Sequence, residues 1–163
     1  MNIGELLVNV ITVLLFYFFI SRTFTLRRLH WICRGIGLML LFVLITLLNL
    51  MNIAPTITCV SGLICQILYT MVFAEGSRGA RLLIGGIPAL LAVVSDSVTF
   101  SVLGILFQDT SEALTVNSAI RSQALVIYIL TYCLLIWAVI QFFPQDLKFP
   151  GYFEGVIFLT CGL

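Results

Sequence analysis

Six long apolar blocks alternate with short polar gaps, and seven of the eight lysines and arginines fall in every second gap. Blocks of this kind match the ~20 residues that a helix needs to cross a bilayer's hydrocarbon. Hydrocarbon leaves no unpaired backbone polar group tolerable, so each block must be a helix or one strand of a closed barrel. The blocks are apolar throughout, without period-two alternation, which argues against the barrel. With 61% hydrophobic and only 9% charged residues, the chain has too little polar surface to clothe a water-soluble globule. The expected fold is all-α: a polytopic membrane helical bundle of about six transmembrane helices.

The blocks run from about Leu6 to Ile20, Ile32 to Met51, Ile57 to Phe73, Leu82 to Phe107, Ala124 to Phe143, and from Val156 onward. The first gap carries Arg22, Arg27, Arg28 and Arg34 with His30, the third Arg78 and Arg81, and the fifth Lys148; Arg121 is alone in the even gaps. Basic residues in short loops stay in the cytoplasm, so the odd gaps should face inward and the N-terminus outward. Trp31, Trp137, Tyr152 and Phe153 lie near block ends, where interfacial anchors are expected. The segment Met1 to Glu5 lacks the basic region of a signal peptide, so the first block should be retained. The last block reaches Leu163 well short of a crossing. The expectation is a single transmembrane domain over residues 1–163, cut within its sixth helix and located in the cell membrane.

The net charge of +1 says nothing about partners, because in a membrane protein the placement of charge matters more than its sum; the bilayer is the expected partner and no nucleic acid is. The five cysteines, Cys33, Cys59, Cys65, Cys133 and Cys161, form no C-x-x-C pair and no metal-ligand cluster, and read as small buried hydrophobes. No cofactor motif is present. His30 and Cys33 are three residues apart, with nothing placed to orient the imidazole, so a thiol-protease pair is disfavoured. No catalytic residue and no metal ligand is assigned.

Asp96 is the sharpest single signal, in the middle of the fourth block. An aspartate at the centre of a membrane helix costs about +2.5 to +3.5 kcal/mol on insertion scales. It must therefore face the bundle interior, take hydrogen bonds, or give up its charge. Ser95 and Thr99 extend a polar stripe around it, and Gln66 should lie at similar depth on the preceding antiparallel helix, which predicts an Asp96–Gln66 contact. Two readings stay open: a ligand-sensing or ion-linked polar site, and interhelical glue. Pro88, behind Gly85 and Gly86, removes a backbone donor and marks either a hinge or a static bend. The gap from Gln108 to Gln123, with Asp109, Glu112 and Arg121, reads either as a solvated connector or, with the short 52–56 connection, as the frame of a pocket mouth above Tyr128, Tyr132 and Asp96.

The stretch Phe73-Ala74-Glu75-Gly76-Ser77-Arg78-Gly79-Ala80-Arg81-Leu82-Leu83 resembles the inward F-x-E-G-S turn, with trailing basic residues, of accessory-gene-regulator-type histidine kinases. These are the GHKL group of quorum-sensing receptors in Gram-positive bacteria. The turn joins their third and fourth helices and precedes an acidic residue in the fourth, here Asp96 where glutamate is more usual. The resemblance implies a membrane sensor that binds an extracellular peptide and signals to a cytoplasmic kinase, usually as a homodimer. The phosphoacceptor helix and ATP-binding domain it calls for are absent from this sequence. The alternative is a small six-helix transport protein or the substrate-binding subunit of a transporter. Against it, a single helix is interrupted by Gly and Pro, where broken helices in both halves would be expected.

Overall fold

A computed structural model describes residues 3–27, 31–51, 55–107 and 118–142. Among them are five helices: α1 Ile3–Thr23, α2 Trp31–Leu50, α3 Pro55–Phe73, α4 Arg78–Phe107 and α5 Ser118–Phe142. Four are long and apolar enough to cross a membrane, and the fifth, α3, carries a shorter apolar stretch over Ile57–Phe73. The all-α class and the membrane-type helices agree with the sequence. The sixth block, Lys148, His30 and most of the Gln108–Gln123 gap lie outside the described residues.

Each helix begins one to six residues before its apolar block, and among the five only α1 also ends beyond its block. Ser77 caps α4: its Oγ accepts from Ala80 N at 3.3 Å, so the helix starts four residues before Leu82. At about 1.5 Å per residue, the 30-residue α4 is longer than a hydrocarbon core is thick, and its first turn, with Arg78 and Arg81, extends beyond the apolar run. The helix continues through Pro88, whose side chain is fully buried.

Each helix packs on its sequence neighbour, and α1 also packs on α5, which closes the five into a ring. Short connections make consecutive helices antiparallel. Apolar side chains at helical spacing point away from the ring: Ile36, Leu40, Val43 and Leu47 on α2, and Val60, Ile64, Leu68 and Val72 on α3, are all exposed. Such stripes would be insupportable in water over a whole molecule and are the expected lipid-facing surface of a bundle.

The α1–α2 and α3–α4 connections meet at one end, which also carries Arg22, Arg27, Arg34, Arg78 and Arg81. Leu26 and Ala74 form an antiparallel bridge, with Arg27 N donating to Phe73 O at 2.9 Å and Glu75 N to Thr25 O at 2.8 Å. Gly76 has φ +135°, a conformation side-chain-bearing residues avoid, and turns the chain from the bridge into the Ser77 cap. Arg81 Nη1 donates to Met71 O at 2.7 Å, satisfying a carbonyl in the last turn of α3. Each residue of the Phe73–Ser77 turn thus has a structural task.

Behind this bridge lies the core. Phe16, Phe19, Ile20, Tyr132, Ile84 and Ile136 are essentially sealed, and Phe16 meets Tyr69 edge to face at 5.4 Å. Glycines let the helices close on one another there. A Cβ on Gly85 would stand 2.8 Å from Thr70 Cβ, and one on Gly37 would stand 2.9 Å from Phe73 Cε2. Small residues at such crossings are what membrane helices use to gain packing.

Candidate functional site

At the opposite end from the arginine-rich connections the ring does not close on itself. A cavity of about 330 Å³ is lined by all five helices, through the first half of α1, the second half of α2, the first half and middle of α3, the middle and second half of α4 and the first half of α5. Its deep wall is formed by Thr12, Ile45, Gln66, Ala89 and Tyr128, directly above the sealed core. Val93, Asp96, Thr99, Phe100 and Leu103 continue the wall along α4.

Two of the polar groups here carry no internal hydrogen bond among the described residues. Gln66 is 3% exposed, and its Oε1 has no hydrogen-bond partner. Asp96 is the single formally charged residue in the lining, and among the described residues no hydrogen bond reaches its carboxylate. Both are acceptors. The expected direct Asp96–Gln66 hydrogen bond is not formed; the two side chains face the same cavity from α4 and α3 instead.

The hydroxyls near Asp96 are already committed. Ser95 Oγ donates to Leu91 O and Thr99 Oγ1 to Ser95 O, both at 2.8 Å; Ser97 and Ser101 likewise bond the carbonyl one turn back. Buried hydroxyls in a helix satisfy themselves this way when no better partner is near. Thr99 lines the cavity, whereas Ser95, completely buried, does not. Tyr128 lines it too. Tyr132 stacks beneath Tyr128 at 5.9 Å and belongs to the sealed core, its hydroxyl without a partner. The structure thus brings together Asp96, Gln66, Thr99 and Tyr128, and places Ser95 and Tyr132 behind them.

Gly85 and Gly86 sit below the cavity, packed on Thr70 and on Leu63 respectively, and Pro88 is buried beside Ala89 of the cavity wall. Thr70 in turn donates to Gln66 O at 2.8 Å, so the tight Gly85–Thr70 contact lies one turn beneath the cavity's glutamine.

Asn9, Thr46 and Asn49, which the sequence did not single out, also emerge here. Asn9 Nδ2 donates to Thr46 Oγ1 at 3.4 Å, and Asn49 Nδ2 to Asn9 Oδ1 at 3.1 Å, tying α1 to α2 beside the cavity. Nearer the helix ends Arg121 pairs with Glu5, joining α5 to α1. A more polar hollow at this pair shares Val8, Asn9, Asn49 and Leu125 with the main cavity, so the two adjoin. Cys59 also lines the cavity and is exposed, as is Cys33; neither is the buried hydrophobe that the sequence suggested. In a ring with an open interior and a lipid-facing exterior, an apolar block has two ways to leave a thiol uncovered.

The chain matches no protein-family model, and no curated protein or solved structure is similar to it.

Proposed function

We propose that this chain is the membrane sensor module of a quorum-sensing-type histidine kinase, taking part of a peptide-like signal into the five-helix cavity from outside the cell. The relay would pass to a cytoplasmic kinase domain, with a homodimer as the working unit. The observation that carries this reading is a pocket walled by all five helices that ends on a sealed core. A ligand in such a pocket touches every helix at once, so it can bias their packing if it binds one arrangement better than another.

Orientation supports the same reading. The cavity lies at the end away from Arg22, Arg27, Arg34, Arg78 and Arg81, and basic connections are retained in the cytoplasm. The bridge between Leu26 and Ala74 couples the two connections at that basic end, so a shift of α1 against α3 would reach both together. The likeness of the Phe73–Ser77 turn to accessory-gene-regulator sensors names the class of output. Transport is the weaker reading, since a substrate would have to pass Phe16, Phe19, Tyr132 and Ile136, all essentially sealed.

Cys59 provides a test. In a variant with the other cysteines replaced, reconstituted in nanodiscs, a saturating signal peptide should slow labelling of Cys59 by a small thiol reagent. In intact cells the same thiol should react with a membrane-impermeant reagent added outside. Labelling from the cytoplasmic side alone would reverse the orientation and defeat the proposal. Flux of a solute through proteoliposomes would replace it with transport.

A further inference from the structure

The chemistry of the cavity narrows what it can hold. Its charged and unpartnered groups are acceptors: the Asp96 carboxylate and Gln66 Oε1. No arginine or lysine contributes to the lining, and Arg121 at the mouth is engaged by Glu5. Thr99, in the lining, spends its hydroxyl proton on a helix carbonyl, as do Ser95 and Thr70 behind the wall. Much of the remaining wall is apolar, including Val8, Ile45, Phe100 and Leu103. Asp96 is exposed to the open cavity from the middle of a membrane-type helix; a carboxylate at that depth without a cation is costly, and a cation brought by a ligand would offset that cost.

We propose that the cavity binds a ligand bearing a protonated primary amine on a small apolar body, with Asp96 as its counter-ion and the Gln66 side-chain carbonyl as a hydrogen-bond acceptor. This rests on the sensor reading and specifies its ligand: the inserted group would be a peptide's amino terminus or a lysyl side chain. A bare alkali ion fits less well, because a space of about 330 Å³ with an apolar wall exceeds what one desolvated ion fills. An anionic group is disfavoured by repulsion from Asp96, with no arginine or lysine in the lining to offset it.

The test uses the chain in nanodiscs, with empty nanodiscs subtracted, and three probes of one shape: phenethylammonium, phenethyl alcohol and phenylacetate. The amine should bind saturably and at least ~10-fold more tightly than the alcohol, the scale of one hydrogen bond to a charged group, with phenylacetate not binding. Asp96→Asn should abolish the preference for the amine, and Asp96→Glu should restore most of it. Equal binding of amine and alcohol, or an amine preference that survives Asp96→Asn, overturns the ammonium assignment while leaving the cavity a binding site. Absence of saturable binding by any probe, together with Cys59 labelling unaffected by signal peptides, overturns both readings.

Discussion

The two ends of the ring are built on opposite principles. At the arginine-rich end, aromatic side chains fill the interior, the connections are stitched by backbone hydrogen bonds, and glycines bring helices into contact. At the other end the helices stand apart around a space edged with Asn9, Gln66, Asp96 and Tyr128. One half of the same five helices spends its residues on packing and the other keeps polar groups available. Stability and recognition should therefore respond to substitutions in different halves.

The largest effect is expected from Phe16→Ala. Phe16 is completely buried and touches Tyr69, so truncation leaves a cavity in the plug and should cost about 3–5 kcal/mol. Reversible unfolding in mixed micelles measures it. A loss below ~1 kcal/mol would show that the plug is loosely packed and would blur the contrast between the two ends.

Next is Gly85→Ala. The new Cβ would press on Thr70 at 2.8 Å, against a branched side chain held by its bond to Gln66 O, so α3 and α4 must part. Overpacking of this kind should cost about 1–3 kcal/mol. Because Gln66 lies one turn above, ligand binding should weaken as well, a double effect that Phe16→Ala would show only through global unfolding. A tolerated Gly85→Ala with unchanged stability and binding would favour the hinge reading of this segment over a fixed contact.

How far the sequence foretold this division depends on the residue. The apolar blocks located the five described helices to within six residues at every end, because hydrophobic span length is a property of the chain alone. Asp96 and Gln66 stood out because a charge or an amide deep in an apolar block is rare. Asn9 and Asn49 did not, although they face the same space: both lie near block ends, where a polar residue looks interfacial until helix rotation is known. Ser95 and Tyr132 sit on the same helices as true lining residues, and sequence could not tell the cavity side from the core side. That distinction comes from ring closure of α5 on α1, a long-range contact with no local signature.

Asn9→Ala sharpens the comparison from the polar side. It removes the acceptor for Asn49 and the donor to Thr46, two side-chain bonds between α1 and α2. Interhelical bonds of this type average about 0.6 kcal/mol in membrane proteins, so the loss should be about 1 kcal/mol. Unfolding midpoints of Asn9→Ala and Asn9→Asp would separate the lost bonds from simple truncation. A cost as large as that of Phe16→Ala would mean that the polar end also holds the bundle together.

The smallest effect on stability is expected where the sequence signal was strongest. If Asp96 were interhelical glue, Asp96→Asn would weaken the bundle by removing a hydrogen-bonded carboxylate. Its carboxylate instead opens on the cavity and accepts no hydrogen bond among the described residues, so the isosteric amide gives up no internal contact. Stability should then stay within about 0.5 kcal/mol of the parent or rise slightly, since an uncharged amide is easier to keep in a membrane. Any effect on amine binding would be out of proportion to that change. Unfolding curves of the ligand-free parent and Asp96→Asn, compared at one detergent composition, decide the matter: a loss above ~1 kcal/mol assigns Asp96 to structure, and an unchanged curve with lost binding assigns it to recognition.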